Sequence, residues 1–470
     1  MEGTVLRFAA VVGLLAFLGC GNTDDDPDFP NAFTIRASLP FNAGSRNTEA
    51  NGNSGGLKDS DDTRRIHVSI SDDGRFIAFA SDASNLTAES SNSKRQVFLR
   101  DLDEQKTVLV SRSTTGSGGN DTSEMPRISG DGKFVAFESK ATDLAGTTSG
   151  RTHIYRWKRE TGALELVSKA SGGGEGGAAG DGLSQNPSIS RDGTKVAFDS
   201  GMTDLAAGDS GGFTDVFVRD LSGAGVTTLE SKSTSGTIGN EKSRRPSISP
   251  DGAFAAFETL ATNFDGLDVD SRWDVYVRKL TSTQTTTLVS RASGGGAKGG
   301  SDSFWPTLSE NGSFVAFESD ATNLVSDDAN AVRDLFVRGD LAAASPVTER
   351  VSIGDGGNEA GFGLDSVSTA ARQRLGTISS DARYVVFESF ATNLVNDDRN
   401  AVADVFIRDR VAGHTRRVSV GTLGTETNER SGSAAISLSG RFVAFSSFAS
   451  NLVDSDTNGA ADIFRRGPDP

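Results

Sequence analysis

Side chains that offer oxygen stand at alternate positions through Asp454, Asp456 and Asn458, and Gly459 then leads to Asp462. Acceptors spaced by two around a glycine let a chain wrap a hard cation, and calcium is the metal that prefers such all-oxygen cages. The same spacing recurs as Asn396, Asp398, Asn400 and Asp404, then as Asp328, Asn330 and Asp334. It thins to Asp268, Asp270 and Asp274, and to Asp209 and Asp215. Calcium is therefore the expected cofactor. Asp454, Asp456, Asn458, Asp462, Asn396, Asp398, Asn400, Asp404, Asp328, Asn330 and Asp334 are its expected ligands. A second chemistry competes for these residues, because Asp and Asn also form turns by bonding their own backbone. Arg465 stands where a bidentate Glu would finish the cage.

Other reactive side chains are sparse. The chain has 3 His, at 67, 153 and 414, each in a different part of the sequence, and 1 Cys at 20. A nucleophile and its base need to be neighbours in space, and this inventory offers little for that, so no enzyme activity is expected. The alternative is a carboxylate-based hydrolase or lyase acting on envelope glycans, since acid pairs that meet only in the fold are invisible in a sequence.

The elements that carry these loops repeat. The segment ISDDGRFIAF (70–79) returns as ISGDGKFVAF, ISRDGTKVAF, ISPDGAFAAF, LSENGSFVAF, ISSDARYVVF and ISLSGRFVAF. Its turn residues are Gly74, Gly132, Gly193, Gly252, Gly312, Ala382 and Gly440, about 60 residues apart with one wider step of about 70. A second run follows each, as in QVFLRD (96–101) and DVFIRD (404–409). Both are short, rich in Val, Ile and Phe, and bounded by turn residues, which is strand chemistry. With a short strand before and after, each unit has four strands, and four-stranded units repeated radially make an all-β, seven-bladed β-propeller. Residues 33–38 read like a fourth strand, so the N-terminal strand is expected to complete the C-terminal blade and remove the open sheet edge. Paired aromatics such as Phe79 with Phe98 are expected to form the core between blades.

The Ser-x-Ser-x-Asp-Gly and Asp-Val-Phe-Val-Arg-Asp signatures, spread over residues 64 to 466, resemble the WD-type propeller repeats of TolB and its relatives. The resemblance implies a propeller fold. It departs from TolB in having seven units where TolB-type propellers usually have six, and no α/β domain ahead of them. The loop at 454–462 also resembles the first nine positions of an EF-hand.

Residues 1–19 read as a signal peptide, with Arg7 before an apolar run too short to span a bilayer. The Phe-Leu-Gly-Cys junction resembles a lipobox, which makes Cys20 the expected lipidation site. Residues 20–32 read as the lipidated Cys and an acidic tether, and 33–470 as the propeller. The net charge is −16, which repels phosphate backbones and argues against nucleic acid as a partner. Antiparallel four-stranded blades place all the long Gly-rich connections on one face, where binding residues concentrate. The expectation is a monomeric, lipid-anchored envelope protein, on the outer membrane facing periplasm or exterior, that binds a protein or polysaccharide.

Overall fold

The structure is a computed structural model that describes residues 32–40, 49–55, 68–89, 91–145, 149–170, 182–209, 212–281, 283–339, 341–361, 377–421 and 424–468. The expected signal peptide, Cys20 and most of the tether lie outside the described residues.

Asp and Gly set the first hairpin of blades 1 to 4, with Asn311-Gly312, Asp381-Ala382 and Ser439-Gly440 in the same place in blades 5 to 7. In blade 1 the Ser71 hydroxyl donates to Asp73 at 2.5 Å and accepts the Phe76 N–H at 3.0 Å, while Asp73 accepts the Arg75 N–H. Gly74 closes the turn at φ +71°, and a Cβ there would meet the Phe442 ring of blade 7 at 2.4 Å. Glycine is thus required twice, by conformation and by close approach. Ala382 holds φ 60° at the same place in blade 6.

These hairpins build seven four-stranded antiparallel sheets among the described residues, as expected. Blade 1 runs from the channel outward as Val68–Ile70, Phe76–Ser81, Gln96–Asp101 and Lys106–Leu109. Blade 6 runs as Thr377–Ile378, Tyr384–Ser389, Asp404–Asp409 and His414–Arg417. Blade 7 takes Ser431–Ile436, Val443–Ser447 and Asp462–Pro468 from the C-terminal part, and its outer strand is Ala32–Arg36. Phe33 pairs with Gly467 and Arg36 with Phe464, so the N-terminal strand closes the ring as expected.

The core is stacked aromatics. Phe79 and Phe98 lie 6.0 Å apart, Phe137 and Tyr155 5.8 Å, and Phe445 and Phe464 5.8 Å, with corresponding pairs in the other four blades. All are buried and pack between adjacent blades, as where Val216 of blade 3 meets Phe257 and Tyr276 of blade 4. Burying one such ring contributes about 1.5–3 kcal/mol.

Polar braces lock blade to blade. The third-strand arginine and the outer-strand threonine of one blade together hold a backbone carbonyl of the blade before it. Arg338 donates to Arg291 O at 2.9 Å and to Thr348 Oγ1 at 2.6 Å, and Thr348 donates to Arg291 O at 2.7 Å. Arg219 with Thr227 on Lys169 O, and Arg278 with Thr286 on Lys232 O, repeat the arrangement. These arginines are structural.

The short-turn face is knitted shut by backbone hydrogen bonds that step round the ring. Asp72 N donates to Gly130 O, Asp131 N to Arg191 O, Arg191 N to Pro250 O, Asp251 N to Glu310 O, Glu310 N to Ser380 O and Ser380 N to Leu438 O. Ser439 Oγ returns to Asp72 O at 2.8 Å. Arg191 spans this end of the channel, 2.9 Å from Asp72 and 2.8 Å from Glu310.

Candidate functional site on the loop face

The antiparallel order of the strands puts every second-to-third loop and every outer-to-inner connection on the face opposite that belt. Two kinds of polar structure occur there: a ring of acids at the channel mouth and a set of acidic loops further out.

At the channel mouth, each inner strand of blades 2, 3, 4, 5 and 7 carries a residue at positive φ, namely Met125, Asn186, Arg245, Trp305 and Ser433. The strand register shifts at each of them. A non-glycine residue in this conformation is strained, and in blades 3, 4, 5 and 7 an acid from the preceding blade holds it. Glu138 accepts Asn186 N–H at 3.1 Å, Asp199 accepts Arg245 N–H at 2.7 Å, Glu258 accepts Trp305 N–H at 2.9 Å and Glu388 accepts Ser433 N–H at 3.1 Å. Glu258 also takes Arg244 at 2.6 Å and Arg245 at 2.8 Å. Those guanidiniums lie 3.8 Å over Trp273 and Trp305 respectively. Trp305 shares one buried cluster with Val68 and Ile70 of blade 1 and Ala435 of blade 7, so it reaches across the channel. Below it a central cavity of about 160 Å³ is lined by the inner strands.

Each acidic loop of blades 5 to 7 encloses an arginine from the outer strand. In blade 6, Arg417 Nη1 donates to Glu426 at 2.8 Å and lies 3.7 Å from Asp398 and 3.8 Å from Asp404. Its Nη2 is 3.1 Å from Asp397. Asn400 donates to Asp404 at 3.0 Å, and Glu426 accepts the Arg399 and Asn400 N–H groups, which fixes the loop. Blade 5 repeats this with Arg350 at 2.7 Å from Glu359, 3.4 Å from Asp328 and 3.8 Å from Asp334, and with Asn330 on Asp334 at 2.9 Å. In blade 7, Arg36 lies 2.8 Å from Glu49, 3.6 Å from Asp456 and 3.3 Å from Asp462, and Asn458 donates to Asp462 at 2.9 Å. In blade 4 Leu288 stands at that outer-strand position, and Lys298 enters instead, 2.6 Å from Asp274, 2.8 Å from Asp270 and 3.6 Å from Asp268. Those three aspartates lie close enough together to share one ion.

The sequence reading thus placed Asp456, Asn458, Asp462, Asp398, Asn400, Asp404, Asp328, Asn330 and Asp334 in clusters that the fold assembles. Asp454 and Asn396 are exposed at the loop entrances. The reading missed Arg36, Glu49, Arg350, Glu359, Arg417, Glu426 and Lys298. An available signal was the Arg and Glu nine residues apart in blades 5 and 6.

One oxygen at the same place in blades 3 to 6 is buried without a hydrogen bond: Asp209 Oδ2, Asp268 Oδ1, Asp328 Oδ1 and Asp398 Oδ1, with Asp398 Oδ2 as well. Burial, and then the charge of Asp404, pushes the Asp398 carboxyl up to about 7. Burial and Asp334 push Asp328 to about 6, and burial and Asp462 push Asp456 to about 6. Buried carboxylates with open lone pairs fit a hard cation, although in blades 4 to 7 a side-chain cation is already among them.

Nucleophilic chemistry finds no exposed constellation among these residues. His153 Nδ1 is 3.2 Å from Ser168 Oγ, but both residues are fully buried. The pair occupies the place of Asp215 with Ser231 and Asp274 with Ser290 in later blades. Residues 52–56 and 208–212 carry a Gly-x-Ser-x-Gly spacing. A nucleophile elbow needs a helix after the serine, and the described residues following each segment form no helix. Ser54 is buried against Ser81 at 2.9 Å.

No protein-family model matches the chain, and no curated protein does. The solved structures that match it include TolB proteins and other β-propellers. The shared property is the fold. TolB from Acinetobacter baumannii is 15% identical, over 73% of this chain and 63% of that one, with a TM-score of 0.40. The chain therefore spans less than two thirds of that TolB. An oligogalacturonate lyase from Vibrio parahaemolyticus is 12% identical over 94% of this chain and 98% of that one, with a TM-score of 0.50. The β-propeller domain of the Trilobed protease from Pyrococcus furiosus is 13% identical over 81% and 88%, with a TM-score of 0.45.

Proposed function

We propose that this protein is a non-catalytic binding module of the bacterial cell envelope, anchored through lipid on Cys20, which takes an envelope protein or polysaccharide on its loop face with calcium shaping the loops. The observation that carries this reading is the asymmetry of the two faces. One is closed by a continuous hydrogen-bonded belt and the Asp72–Arg191–Glu310 bridge. The other presents the loops on a rigid scaffold, the arrangement in which binding residues usually sit.

The channel-mouth acids support a non-catalytic role, since Glu138, Asp199, Glu258 and Glu388 are committed to backbone N–H groups of the next blade. Calcium would be held by the buried aspartates of the loops, where it would supply the positive charge that the oxygens without hydrogen bonds lack.

The test uses single cysteines carrying a bulky polyethylene glycol on a protein lacking Cys20. One cysteine replaces Thr262 on the loop face and the other replaces Lys133 on the turn face. Capture of envelope glycans or proteins should be lost with the first and kept with the second. Equal capture by both would sink the reading, and release of new sugar ends from a glycan would replace it with an enzyme.

A further inference from the structure

Four acidic loops hold a cation supplied by the chain itself, and among the described residues the loop of blade 3 has none. Its strand register makes the comparison direct. Leu229 pairs opposite Phe217 as Arg350 does opposite Phe336, Arg417 opposite Phe406 and Arg36 opposite Phe464. Ile238 bridges Lys232 as Lys298 bridges Arg291 in blade 4. Both positions from which blades 4 to 7 send a positive charge are therefore aliphatic in blade 3.

The acids nevertheless remain. Asp215 is buried, with one carboxylate oxygen accepting the Ser231 hydroxyl at 2.6 Å. Asp209 is 9% exposed, and its Oδ2 has no hydrogen-bond partner. Asp204 adds a third acid where blades 4 to 7 carry Asn263, Asn323, Asn393 and Asn451. No Lys or Arg among the described residues forms an ion pair with any of the three. A buried carboxylate without a counter-charge is among the most unfavourable groups a fold can keep. In blades 4 to 7 the same position is given a cation.

We propose that blade 3 binds one hard divalent cation through Asp209 and Asp215, with Asp204 at its edge, and that this is where external metal enters the loop face. All the candidate ligands are carboxylate oxygens, which selects calcium or magnesium over softer metals. The inference rests on the calcium role proposed above and moves it away from blades 5 to 7, where Arg350, Arg417 and Arg36 already serve.

The experiment is isothermal titration of the metal-stripped full chain with calcium, and separately with magnesium, alongside thermal unfolding. One site per chain is expected, with a Kd of about 0.1–1 mM and a melting rise of roughly 1–3 °C at saturation. Asp209→Asn with Asp215→Asn should abolish both, whereas Asp398→Asn should leave them intact. Because the double variant could fail to fold, Leu229→Arg with Ile238→Glu offers a second route. It rebuilds the internal ion pair of blades 5 and 6, and should remove calcium binding while melting no lower than the metal-free parent. Binding lost in Asp398→Asn but kept in the blade 3 variants would overturn the inference and return the metal to blade 6. Absence of any heat or melting shift in the parent would overturn both this inference and the calcium role.

Discussion

Arg36 and Asp462 are 426 positions apart in sequence and 3.3 Å apart in the fold. The guanidinium comes from the N-terminal strand and enters the acidic loop of the last blade, where Glu49 and Asp456 also meet it. Ser38 adds a hydrogen bond to Asp462, and Glu49 accepts the Thr457 N–H at 2.8 Å. Ring closure is thus electrostatic as well as a matter of strand pairing.

Arg36→Ala should destabilise the protein by about 3–5 kcal/mol, because it leaves Asp456 and Asp462 buried without their partner. Hydrogen exchange is the measurement that localises this effect. Protection should fall first in Ala32–Arg36 and Asp462–Pro468, before the other blades. Uniform loss across all blades would mean that the arginine is not specific to closure.

Glu258 has a fully buried side chain and receives two guanidiniums and one backbone N–H. Glu258→Ala should cost about 3–5 kcal/mol in chemical unfolding, and Glu258→Gln less, since the amide oxygen can still accept the Trp305 N–H. The chain has 3 Trp, and two of them lie beneath Arg244 and Arg245. Their emission should shift to the red in the Ala variant, and an unchanged spectrum would show that Glu258 does not order those rings.

Asp199 should make stability depend on pH in a definite direction. Burial pushes its carboxyl up to about 6, above the ordinary value near 4. The folded state therefore holds this proton more tightly than the unfolded chain. The resulting stabilisation is fully present below the unfolded value and is lost as pH rises through about 6. Asp199→Asn removes the titration while keeping an acceptor for the Arg245 N–H. The parent should gain on the variant as pH falls from about 7 to about 4, as read by paired melting curves. A gap that stays constant with pH would rule this out.

Much of the architecture could be read in one dimension, because strand formation depends on neighbours two residues apart and turn formation on neighbours within four. The Ser-x-Asp-Gly hairpin shows this, with the bonds from Ser71 to Asp73, Asp73 to Arg75 and Ser71 to Phe76 all lying inside six residues. The closing strand was legible because residues 33–38 resemble the fourth-strand ending at 288–293. The aspartates of the loops were legible as a pattern, although the same spacing serves metal and turn alike.

What the sequence by itself determined is the repeat, and with it four strands per unit, seven blades, the stacked Phe core and the crowding of long loops on one face. The tertiary structure alone decided which charges meet. Arg417 finds Asp398 because an outer strand pairs in one register with the third strand beside it, and Glu258 finds Trp305 because adjacent blades stack at one offset. Such contacts join residues tens to hundreds of positions apart, and electrostatic energy depends on distance and burial in space rather than on separation along the chain. That is why the aspartates could be named from the sequence, while the cations that answer them in blades 4 to 7, and the lack of one for blade 3 among the described residues, emerged only from the folded ring.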